Sequence, residues 1–185
     1  VEVRRVISRA DTVEGFVVGV GTKWALMANL NPGVFLDGYC AVRVADIGQL
    51  TRPKRGSFVR CALELHGEWP PVAPPRDLPL GNTVGLVAAA GALFDLVTLH
   101  VEREDPEVCF VGKPVEGVKG RVRILEVDPR AKWQAKPSQW APGRVTRVEF
   151  GGRYELALAD VARRELPDES TVPSNVRLPP PGLSI

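Results

Sequence analysis

The sequence predicts an α+β protein, mainly β, built as two copies of a small, strongly bent β-barrel that each carry a short helix. Three observations predict it. Thr51-Arg52-Pro53-Lys54-Arg55-Gly56 and Thr146-Arg147-Val148-Glu149-Phe150-Gly151 share Thr, Arg and Gly at one offset of 95 residues. After each copy, apolar residues fall at helical spacing: Phe58, Cys61, Ala62 and Leu65 in the first, Tyr154, Ala157, Leu158 and Val161 in the second. Before each copy come short alternating segments closed by tight turns, which is what a small barrel needs.

The elements follow in order. Val1 to Ser8 is rich in β-branched residues and opens the first half as a strand. Gly15 to Val20 places Phe16, Val18 and Val20 on one face, and Gly21-Thr22-Lys23 turns the chain into Trp24 to Leu30, a hairpin. Asn31-Pro32-Gly33 breaks the pairing, Tyr39 to Val44 resumes it, and Asp46 to Leu50 leads to the repeated Thr-Arg. The first unit therefore spans residues 1–66, with its helix at the end.

Residues 67–81 form a connector with Pro70, Pro71, Pro74, Pro75 and Pro79, which favours an extended, stiff spacer. The second unit spans 82–166. It opens with a helix from Asn82 to Leu93, capped at Asn82 or Thr83 and apolar all round, which implies burial between the halves. Strands follow at Leu96 to Glu102, Glu107 to Lys113, Arg121 to Val127 and Arg144 to Phe150; the alternation slips between Ile124 and Leu125, predicting a bulge or a strong bend. Asp128 to Gly143 is a long connection with two tryptophans, a length that often carries function. The tail, 167–185, holds five prolines and predicts disorder or a draped segment.

In this order of elements, a helix and then consecutive short strands, the chain resembles the Sm-like family of small barrels, RNA-associated bacterial and eukaryotic proteins that assemble into rings. The resemblance is one of pattern. It implies RNA contact and assembly as expectations.

Composition excludes several classes. With 44% hydrophobic and 25% charged residues, the chain can build an ordinary core. No apolar run approaches the roughly 18 residues of a membrane span, and the first residues do not read as a signal peptide, so a cytoplasmic protein is expected. Cys40, Cys61 and Cys109 show no paired spacing; Cys40 and Cys61 read as small core residues and a disulfide framework is not expected. The two histidines, His66 and His100, lack ligand spacing, and no nucleophile elbow, phosphate loop or metal motif occurs, so the reading is a non-enzymatic protein without cofactor or metal.

Charge is more informative by position than by sum. Residues 95–112 carry five acids against Arg103, and residues 113–147 carry nine bases against three acids. Lys119, Arg121, Arg123, Arg130, Lys132, Lys136 and Arg144 interleave with Trp133 and Trp140, a pattern suited to single-stranded RNA because cations track phosphates and rings stack bases. The competing account is that these bases neutralise the acidic stretch and that the tryptophans fold their loop onto the sheet. Arg52, Lys54, Arg55 and Arg60 form a second cluster, read as a solvated face, with Arg52 and Arg147 making equivalent contacts. The alternative to RNA is a protein-interaction or self-assembly scaffold that pairs through sheet edges.

Overall fold

Short apolar-alternating segments become ten strands in the computed structural model, which describes residues 1–116 and 120–164. Lys119 and the 167–185 tail lie outside the described residues. The first half supplies β1 (Glu2–Arg5), β2 (Val13–Val20), β3 (Trp24–Leu30), β4 (Leu36–Arg43), a single 3-10 turn at Val44–Asp46 and β5 (Ile47–Thr51), followed by α1 (Gly56–Leu65). The second supplies α2 (Thr83–Phe94), β6 (Val97–His100), β7 (Cys109–Pro114), β8 (Val122–Glu126), β9 (Ser138–Trp140), β10 (Arg147–Phe150) and α3 (Arg153–Ala162).

All the pairings are antiparallel, and the sheet runs β5-β1-β2-β3-β4-β10-β6-β7-β8-β9. The expectation of two closed barrels is therefore corrected: one open ten-stranded sheet with three helices takes their place, while the mainly β character holds. The reason lies in where strand-edge amides are spent. β4 does not close its own half; it pairs with β10, with Arg147 opposite Val42, Val148 opposite Ala41, Glu149 opposite Cys40 and Phe150 opposite Tyr39. The five strands on either side of this join follow one another in the same order, last strand beside first.

The core ignores the boundary between the halves. Trp24, Leu26 and Ala41 pack in one cluster with Leu86, Ala90, Val97, Val148 and Phe150. α2 supplies much of its cover, burying Leu86, Val87 and Ala90. Asn82 starts that helix by accepting from the Val84 amide at 3.1 Å, the expected cap, and Thr83 Oγ1 accepts from Trp24 Nε1 at 3.3 Å. The proline-rich stretch is docked rather than free: Leu78 and Leu80 pack on this core, and the Leu80 carbonyl accepts from the Lys23 and Trp24 amides at 3.2 and 2.9 Å.

Other local expectations change. No register shift falls between Ile124 and Leu125; the shifts occur at Arg4/Arg5, Val17/Gly19 and Ala28/Leu30. α1 is rotated from the predicted face, because Val59 and Leu63 enter the cluster with Phe16, Leu30, Leu36 and Trp69. Phe58, Cys61 and Leu65 consequently face outward, and of the small core cysteines only Cys40 is buried. α3 turns likewise, burying Leu158 and Ala159 and exposing Tyr154 and Val161.

Candidate functional site

The segment predicted to hold RNA forms β8, β9 and the loop between them, and the fold treats its residues differently. Trp140 sits on β9, 6% exposed, with its ring 4.9 Å from Phe110. Trp133 is half-buried against the Leu96–Ala162 cluster and donates Nε1–H to the Ala162 carbonyl at 3.1 Å. Arg144 forms a two-pronged ion pair with Glu104, and Arg123 donates to the Glu116 carbonyl at 2.8 Å. Arg121, Arg130, Lys132 and Lys136 stay exposed. Between them Asp128 shapes the turn, its carboxylate accepting the Arg130 and Lys132 amides at 2.8 and 2.9 Å. Those amide bonds, the Lys132 one foremost, hold the Asp128 carboxyl below its ordinary range. The tryptophans thus fold the loop onto the sheet, and Arg144 answers one of the acids.

The repeated Thr-Arg pair does not occupy equivalent places either. Arg52 is an exposed residue beyond the end of β5, whereas Arg147 is a buried residue of β10. Around Arg147 the fold assembles a charged network that sequence reasoning missed. Arg5 and Glu102, both with fully covered side chains, form a two-pronged pair, with Nη2 to Oε1 at 2.7 Å. Thr146 Oγ1 lies 2.8 Å from Glu102 Oε2 and accepts from the Glu102 amide at 3.1 Å. Arg147 reaches Glu102 and Glu149 at 3.4 Å each and the exposed Asp11 at 3.4 Å.

His100 lies between the two charges of β10. Its Nδ1 is 3.0 Å from Arg147 Nη2, a group that can only donate, and its Nε2 faces Glu149 Oε2 at 3.3 Å. Burial works against a charged Glu149, but the bond from His100 and the charge of Arg147 outweigh it and bring the carboxyl down to about 2. For Glu102 burial again pushes upward, and the bonds from Arg5 and Thr146 with the charge of Arg147 hold the carboxyl below its usual value. Two buried cations therefore face two carboxylates, and the network ties β1 to β6 and β10. Cys109, an exposed residue opposite His100 in the sheet, has its thiol pushed upward by desolvation and by the Glu149 charge.

The join itself is tightly made. Gly38, at φ +66°, brings β4 so near the start of α3 that a Cβ there would sit 2.4 Å from the Gly152 amide nitrogen. Asp37 accepts from the Arg153 amide at 2.7 Å, and the Arg153 guanidinium lies 3.8 Å from the centre of the Phe35 ring. At the other end of β4, Arg43 donates to the Val145 carbonyl at 2.5 Å and to the Pro142 carbonyl.

β5 and β9 are left as the outer edges of the sheet, each paired on one side among the described residues. Neither carries the charge or proline that guards many edges: β5 reads Ile-Gly-Gln-Leu-Thr, with Leu50 56% exposed, and β9 reads Ser-Gln-Trp. No helix among the described residues is long and apolar enough to cross a membrane, and no group of three or more His, Cys, Asp or Glu among them is placed to hold a metal ion. Compared with known proteins, the chain matches no family model, no curated protein and no solved structure.

Proposed function

We propose that this protein is a non-enzymatic assembly module whose sheet grows by edge pairing with a second copy, β5 of one chain laid beside β9 of the next. The observation that supports it is the β4–β10 join. β10 stands in the second half where β5 stands in the first, and β9 stands where β4 does. The contact made once inside the chain is thus open to be made again between chains. β10 achieves its pairing with four residues, so the three of β9 are a comparable template. Unpaired edge amides supply the affinity and the flanking side chains the register. The single-stranded RNA reading keeps cations on the 121–136 segment but finds Trp140 buried and Trp133 half-buried, which is why edge pairing is preferred.

Gln49 on β5 and Gln139 on β9 are both exposed and provide the test. Light scattering behind size exclusion should show mass rising with concentration for the wild type. Gln49→Glu with Gln139→Glu should weaken association about fivefold through like charges across the pair, and Gln49→Lys with Gln139→Glu should restore it. A wild type that stays monomeric at several hundred micromolar, or an indifferent double-Glu variant, ends the proposal.

A further inference from the structure

The basic cluster of the first half has no place in edge pairing; its side chains are exposed, as a solvated face requires, and several of them border a groove. A groove of ≈ 750 Å³ opens between β2, the 52–54 linker, the first turns of α1 and Trp69, within the roughly 300–1,000 Å³ typical of small-molecule sites. Arg52 and Lys54 line it, are exposed, and meet no carboxylate within ion-pair distance among the described residues. Arg60 lines it as well, its guanidinium 5.2 Å from the centre of the Trp69 ring, which itself meets Phe16 edge-on at 5.6 Å. Glu14 is the groove's carboxylate. Arg55 holds its Oε2 at 2.5 Å, while Oε1 is buried with no hydrogen-bond partner.

From these groups we infer that the groove binds a nucleotide unit, a phosphate joined through a sugar to a planar base. Arg52 and Lys54 meet the phosphate, whose charge they complement without giving up an existing partner. The base takes the place of the Arg60 guanidinium on the indole of Trp69, which frees Arg60 to turn toward the phosphate. A bare polyanion would leave the ring unused; an apolar ligand would leave Arg52 and Lys54 without a partner, whereas Arg60 has Glu64 at 2.8 Å. The inference is independent of edge pairing.

The test titrates the full chain with AMP, with an eight-nucleotide single-stranded RNA and with inorganic phosphate, followed by calorimetry and tryptophan fluorescence. AMP or the RNA should bind, phosphate alone more weakly, with affinity falling as salt is added. Arg52→Ala with Lys54→Ala should cost tenfold or more; both are exposed loop positions, so circular dichroism should be unchanged. Trp69→Phe should remove most of the preference for AMP over phosphate, a change that loss of charge alone would not produce. Binding of AMP without the RNA identifies a free nucleotide as the source, and binding of the RNA without AMP identifies a strand. If neither binds at millimolar concentration, or if binding survives the Arg52/Lys54 change and is lost instead in Arg130→Ala/Lys132→Ala/Lys136→Ala, the groove is not the site.

Discussion

Glu102→Gln is the substitution that most directly probes how the molecule is held together. The change keeps shape and removes one negative charge at a side chain with 0% exposure, facing Arg5 with 0% and Arg147 with 8%. Removing one partner of a buried pair leaves an uncompensated charge, which typically costs about 3–5 kcal/mol. Here Arg5 has no second carboxylate, its other bond being to the Asp11 carbonyl at 2.9 Å, so the cost should fall within that range. With a urea slope of roughly 2 kcal/mol per molar, the midpoint should drop by about 1.5–2.5 M. Arg5→Met combined with Glu102→Leu should recover much of the loss, since two buried charges leave together and the apolar replacements pack. Arg147 retains Glu149 in that variant. A Glu102→Gln midpoint within about 0.5 M of wild type would refute the picture of a desolvated, interdependent network. So would a double variant no better than the single one.

Two further outcomes are expected. Glu149 has a folded value depressed to about 2 from 4.5, so the stability it contributes is fully present above the unfolded value and is lost as pH falls from about 4.5 towards 2; the ceiling is about 3 kcal/mol. Urea midpoints for the wild type should fall across that window, while Glu149→Gln should start lower at pH 6 and change less; parallel curves would exclude the assignment. Gly38→Ala should cost about 2–4 kcal/mol from its left-handed backbone and its approach to Gly152, whereas Gly143→Ala, with nothing within 4 Å, should lie within about 0.5 kcal/mol of wild type in thermal melts.

Several elements were legible because local physics and tertiary context agree there. The stretch from Trp24 to Leu30 is apolar at every position but Asn29 and is a strand with those bounds; Asn82 begins a helix with the side-chain bond its type favours. Illegibility came where several solutions share one pattern. α1 carries Val59 and Leu63 on one stripe and Phe58, Cys61 and Leu65 on another, and only the position of Phe16 and Trp69 decides which is buried. β9 has three residues and lies in a proline-rich stretch, so no period could reveal it. The Thr-Arg repeat aligned letters rather than places, since Arg147 lies within a strand and Arg52 beyond one. A charged network drawn from Arg5, Glu102 and Arg147 has partners 97 and 45 residues apart in the chain, and nothing local announces such company. The groove's basic residues were visible in the sequence, but the Trp69 ring and the Glu14 carboxylate that line it with them arrive from other segments.

The join between β4 and β10 also bears on how the chain can be divided. Since Trp24 and Ala41 share their packing with Leu86 and Val148, a cut anywhere in 67–81 would not release two finished bodies. Each fragment would present an apolar wall and a row of bare amides shaped for the other. The linkage between the halves therefore fixes which wall meets which, so that this docking is made within one molecule and β5 and β9 stand outermost among the described residues.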